Sequence, residues 1–158
     1  MNIWEARQLA WSLIDKHGLK DKGWTFEFDN SKKTFGQCWT SRKLIELSRP
    51  LTELNDEEQV KDTILHEIAH ALVGNEHGHN RVWQTKAKAI GCNGKRCYDT
   101  TSVIVPPKKW VAICQSCKTI HSAYRRTKGS ACGVCCKKYN NGRYSDEYLL
   151  NWQINTLV

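Results

Sequence analysis

The segment His66-Glu67-Ile68-Ala69-His70 places two imidazoles four residues apart, with a carboxylate beside the first. On a helix, positions i and i+4 share one face, so both rings can reach a single Zn²⁺. Glu67 is offset around the helix, beside the metal's open coordination position. There it can hold a water and take its proton as the water attacks a peptide carbonyl. Two further histidines, His77 and His79, follow within a short loop, and either can supply a third nitrogen. Glu76 is a carboxylate alternative on the same loop.

A second constellation lies downstream. Cys114-Gln115-Ser116-Cys117 and Cys132-Gly133-Val134-Cys135 are two C-x-x-C turns with 14 residues between them. Each turn offers two thiolates, and together they complete a tetrahedral Cys₄ structural zinc site. Cys136 could exchange register with Cys135, but Cys135 preserves the turn. The expectation is two Zn²⁺ per chain, one catalytic and one structural. Around the cysteines, Lys108, Lys109, Trp110, Tyr124, Arg125, Arg126, Lys128, Lys137 and Lys138 interleave cations with rings. Such a pattern suits single-stranded nucleic acid, with cations tracking phosphates and rings stacking on bases. The competing reading is a solvated basic ribbon whose aromatics pack on its own hairpin.

These groups need elements to hold them. Ile3, Ala6, Ala10 and Leu13 recur at helical spacing over residues 3–17. Trp24, Phe26 and Phe28 alternate with polar residues as in a half-buried strand, and two short strands follow near 34–39 and 43–47. Arg49-Pro50 punctuates the chain. Asn55 with Glu58 resembles a capping box opening a helix that runs to Val73, where Val60, Ile64, Ile68 and Leu72 form the core stripe. A further helix is expected to start after Asn80 and end at Gly91, and an extended stretch at Val103–Val105 precedes Pro106-Pro107. Trp4, Trp11, Trp24 and Trp39 read as packing residues. Cys38 reads as a small buried hydrophobe, and Cys92 and Cys97 as loop thiols. The fold class is α+β: a compact body over residues 1–105, a basic Cys₄ zinc ribbon over 106–143, and a tail over 144–158 readable as a short helix.

With H-E-x-x-H, a third histidine four residues before a tryptophan (His79 and Trp83), the Gly23-Trp24 strand start, the Leu47-Ser48-Arg49-Pro50 turn and a terminal cysteine module, the chain resembles the SprT-like, or Spartan, zinc metalloproteases. The metzincin pattern is absent, since Val73 and Glu76 stand where it needs Gly and His. The resemblance implies a zincin-like body with His66, His70 and His79 as ligands, Glu67 as base, and proteolysis of proteins bound or crosslinked to DNA. Asn80 stands where that family usually has glycine.

Composition is consistent with this. The 158 residues carry a net charge of +8, yet residues 106–143 alone hold nine Lys/Arg and no acid. An anionic partner for that segment follows. The mean hydropathy of −0.60 and the lack of a long apolar run exclude a membrane span. Glu5, Arg7 and Gln8 interrupt what a signal peptide would need apolar. A soluble cytoplasmic protein, nucleoid-associated in a bacterial or phage setting, is expected, with its cysteines reduced. Two rival readings remain: a non-catalytic zinc protein that binds nucleic acid, and a peptidase whose ribbon recruits a protein partner.

Overall fold

The computed structural model describes residues 1–96 and 102–156. The chain forms two compact units, Met1–Pro106 and Pro107–Val158. The first unit begins with α1 (Ile3–Lys16), whose Ala6, Ala10, Leu13 and Ile14 are buried. Trp4 points the other way and is 67% exposed, because it falls outside that stripe; the packing role read for it does not hold.

Strands β1 (Thr25–Asp29), β2 (Gly36–Trp39) and β3 (Leu44–Ser48) form one sheet in the order β1-β3-β2. Here β1 runs parallel and β2 antiparallel to β3, with Phe26 opposite Ile45 and Cys38 opposite Ile45 on the other side. The central strand, β3, is the most apolar, with Leu44, Ile45 and Leu47 buried.

Arg49-Pro50 does not break the chain but opens a helix, α2 (Arg49–Leu54). Proline suits the first helical turn, where its missing N–H has no partner to lose, and the Ser48 hydroxyl accepts from Leu51 N at 3.1 Å. The long helix α3 (Glu57–Val73) is capped by Asp56, whose carboxylate accepts from Gln59 N at 2.9 Å. Asn55 is therefore not its cap. It is buried, and its amide donates to Leu51 O and Ile104 O while its oxygen accepts from Ile104 N. That clasp, with Gln59 donating to Ser102 O, holds residues 102–104 as irregular chain in place of the expected extended stretch. Helix α4 (Arg81–Ala89) follows a short loop and is capped by Asn80, which accepts from Val82 N and Trp83 N. Val60, Ile64, Ile68, Trp83 and Ala87 are fully buried in the core these helices share with the sheet.

In the second unit, β4 (Trp110–Ile113) and β5 (Ile120–Ala123) form a hairpin, followed by α5 (Gly133–Tyr139) and β6 (Gln153–Ile154), which pairs with β4. The segment expected as a separate, helical tail is part of this unit. Among its described residues it has only a 3₁₀ turn at Asp146–Tyr148 before β6. Tyr148 and Leu150 supply the larger apolar side chains of a core otherwise built from Ala112 and four cysteines, so the unit needs them buried. No helix among the described residues is long and apolar enough to cross a membrane.

Candidate active site and metal centres

Helix α3 presents His66, Glu67 and His70 toward β2 and the start of α4. It ends at Gly74, whose N–H returns to His70 O at 2.8 Å with φ at 91°. A side chain at Gly74 would also collide with the Glu76 carboxylate, which folds back over it. From this sharp exit a 3₁₀ turn, Asn75–His77, brings the chain round to His79. His79 Nε2 lies 3.0 Å from His66 Nε2 and 3.1 Å from His70 Nε2. His77 faces away and meets Asn80 instead.

Three ring nitrogens this close fit one cation, since tetrahedral zinc with Zn–N near ~2.1 Å separates its nitrogens by about 3.4 Å. Their protonation agrees. Burial first, and then the neighbouring histidines, lower His66 to about 3, and burial and His79 lower His70 to about 4. His79 is lowered by burial and by Arg96. All three rings are thus neutral ligands near neutral pH. Beneath them lies Trp83, fully buried, with ring centroids 4.5 Å from His66, 4.6 Å from His79 and 5.2 Å from His70. The tryptophan thereby limits how far any of the three can rotate. Glu67 is 6% exposed, and burial pushes its carboxyl up to about 8.

The site opens into a cleft of about 440 Å³. Its floor holds His66, Glu67, His70 and His79, one wall is β2, and the other is the loop that follows α4. Strand β2 is a sheet edge. Phe35 O accepts from Ser48 N on the β3 side, so by the alternation of an antiparallel ladder Gly36 and Cys38 turn their main-chain groups outward. The Cys38 carbonyl does accept from Asn75 Nδ2 there. Gly36 permits this close approach, because a methyl group would sit 2.9 Å from Glu67 Cγ and Oε1. Cys38 itself is buried, its thiol pushed up to about 12 by burial and by Glu67, as suits an inert packing group. Cys92 is likewise buried and raised to about 12, chiefly by burial, while Cys97 lies outside the described residues.

In the second unit Cys114, Cys117, Cys132 and Cys135 bring four sulfurs together. Cys114 Sγ is 3.7 Å from Cys135 Sγ and Cys117 Sγ is 3.6 Å from Cys132 Sγ. Those distances are too long for disulfides and close to the roughly 3.8 Å between sulfurs on tetrahedral zinc. Burial raises Cys132 and Cys135, so a cation is what would keep them as thiolates. Cys136 is buried in the same core but outside the tetrad. His121 Nε2 lies 3.2 Å from Cys132 Sγ, a contact that the pattern of cysteines alone does not announce.

The basic residues divide into two groups. Lys108, Lys109 and Trp110 lie at the start of β4, and Trp110 pairs with Ala123, so Tyr124, Arg125 and Arg126 emerge at the same end of the hairpin. Arg126 and Lys109 stand about 6 Å from the Trp110 ring centre. Lys137 and Lys138 occupy the last turn of α5, with Lys138 4.9 Å from the Tyr139 ring centre. Lys128 lies exposed between β5 and Cys132. All the cations are exposed, whereas Trp110 and Tyr124 are half-buried; Tyr139, at 59% exposure, is the more open ring.

No curated protein matches the chain. The model of the SprT-like family matches residues 8–103, a span that contains both α3 and His79, and the C-terminal cysteine tetrad lies beyond it. The chain belongs to the SprT-like family, a family of metallopeptidase-like proteins.

Proposed function

We propose that this protein is a zinc-dependent endopeptidase acting on proteins bound or crosslinked to DNA. The observation that carries the reading is the convergence of three neutral histidine nitrogens beside a buried carboxyl, in a cleft walled by an open strand edge. His66, His70 and His79 would hold zinc, which supplies Lewis acidity to a water and to the scissile carbonyl. Glu67 accepts the proton of the attacking water and hands it to the departing amine; a carboxyl whose pKa burial has raised toward neutrality suits both transfers. The outward main-chain groups of Gly36 and the Cys38 N–H are placed to pair with an extended substrate segment, which would align its backbone against the site. The second zinc, on Cys114, Cys117, Cys132 and Cys135, would hold the ribbon together. Its exposed cations and rings support binding of single-stranded DNA. An intracellular location is part of the proposal, since zinc ligation by the four cysteines requires them reduced.

A second reading has one observation in its favour. Ile113, Ile120 and Val134 are 51%, 68% and 50% exposed around the cysteine turns, which suits a ribbon that recruits a protein partner. The deciding experiment is proteolysis of a DNA-bound protein, with and without DNA, by wild type and Glu67→Gln. Stimulation by DNA and loss in the variant support the proposal. Cleavage without DNA dependence favours the second reading, and cleavage by Glu67→Gln at the wild-type rate refutes the mechanism.

A further inference from the structure

The loop after α4 is clamped to the active-site helix. Asp62 lies one turn before His66 on α3, and its two carboxylate oxygens accept from Asn93 N at 2.7 Å and Asn93 Nδ2 at 2.6 Å. The Asn93 side-chain oxygen in turn accepts from Lys95 N at 2.7 Å. Cys92, just before, is buried in the core. The turn is therefore fixed at both levels, and it delivers Lys95 and Arg96 to the mouth of the cleft with exposed side chains. Asp62 lines the same cleft, and both its oxygens accept from Asn93. On the facing wall Lys33 stands at the entrance, just before β2. A cleft that performs peptide chemistry thus has a cationic mouth on a near-neutral body, residues 1–105 carrying 15 Lys/Arg against 14 Asp/Glu.

We propose that this cleft selects extended peptide segments with an Asp or Glu within one or two residues of the bond over the metal site, and that Lys95 and Arg96 are the specificity-determining residues. The inference rests on the peptidase reading for the placement of substrate along β2. In an extended segment paired with that edge, successive side chains alternate between the two faces of the lengthened sheet, so one set faces the α3 floor and the other faces the mouth, where Lys95 and Arg96 stand. A carboxylate there meets two cations on a loop that is already ordered, so little conformational freedom is lost on contact. A lysine at the same place meets like charge, and discrimination arises as much from that repulsion as from attraction. Being partly solvated, the effect is moderate and falls with ionic strength.

The test uses the full-length Glu67→Gln protein loaded with zinc, and three labelled octapeptides differing only at one central residue: Glu, Gln or Lys. Fluorescence anisotropy at low salt should show the Glu peptide binding about 10-fold tighter than the Gln peptide, and more than that over Lys, with the gap closing as salt is raised. Lys95→Gln/Arg96→Gln should abolish the order and Lys95→Glu/Arg96→Glu should reverse it; far-ultraviolet circular dichroism checks that each is folded. Equal binding of the three peptides, no measurable binding, or an order that survives in the doubly substituted proteins overturns the proposal. So does an unlabelled oligonucleotide that binds the cleft through Lys95 and Arg96 while the peptides show no order, since that assigns the cations to phosphate. Cleavage of the same Glu peptide by wild type is a separate readout. If it fails while the binding order holds, the peptidase reading falls and the charge selectivity stands.

Discussion

Alanine at Gly36 should separate catalysis from stability. The added methyl group would lie 2.8 Å from Thr63 Cγ2 and 2.9 Å from both Glu67 Cγ and Glu67 Oε1. The backbone there is ordinary, so the obstacle is space alone. Non-bonded carbons settle at about 3.5–4.0 Å, so β2 or Glu67 must give way by roughly 0.7 Å. Overpacking of this kind costs about 1–3 kcal/mol of stability. The larger effect falls on chemistry, because two of the three crowded atoms belong to the candidate base. If a displacement of ~1 Å costs ~10²-fold, this one should lower kcat about 10- to 100-fold, or roughly 1.4–2.7 kcal/mol of barrier. The assay is kcat on a quenched-fluorescence peptide, with zinc content and thermal unfolding measured on the same preparation. Removing only the Thr63 clash, in Gly36→Ala/Thr63→Ala, should recover part of the melting temperature and none of the rate. A Gly36→Ala protein with wild-type kcat, or a double variant that regains it, would show that β2 does not position Glu67.

Glu67 also sets a pH dependence in the metal-free protein. Its folded pKa of about 8 exceeds the ordinary 4.5, so the unfolded chain releases this proton first, and the stability tied to Glu67 declines as pH rises from about 4.5 to 8. Chemical denaturation should therefore show Glu67→Gln gaining on wild type from pH 5 to 8, and a constant gap would refute the assignment. His79→Ala should lose the metal of the first unit while His77→Ala keeps it, by metal analysis; the reverse result reassigns the third ligand. Cys132→Ser should melt the second unit and leave the transition of the first in place, because the second core is largely cysteine. His121→Ala, which removes the contact to Cys132 Sγ, should weaken metal binding there about 10-fold in chelator competition. Single-strand binding should fall with salt at a log–log slope of about −0.7 per phosphate contact, and loss of Arg125 and Arg126 should flatten it by up to about 1.4.

The two groups that could hold a metal were legible along the chain because they are encoded by local spacing. Helical geometry turns His66 and His70 into one face, and a C-x-x-C turn turns two cysteines into one chelate, whatever the rest of the fold does. The α+β class, the amphipathic stripe of α3 and the helix after Asn80 were equally readable, since each depends on residues within a few turns of one another. The capping of α3 was misread by one residue because Asn55 and Asp56 are both competent caps. Only the distant Ile104 backbone, which claims the Asn55 side chain, leaves the task to Asp56. The tail was misread because Tyr148, Leu150 and β6 have no local partner; they are ordered by a strand and a cysteine core that precede them in the chain. The same holds for what surrounds the site. That β2 is the edge strand, that Gly36 must be small to admit Glu67, that Trp83 lies under His66 and His70 as well as His79, and that Asp62 ties Lys95 and Arg96 to the cleft mouth are relations that no single element's pattern contains. Short-range pattern determines which atoms can do chemistry, and long-range packing decides what stands opposite them, because close approach is set by the collapsed core as a whole.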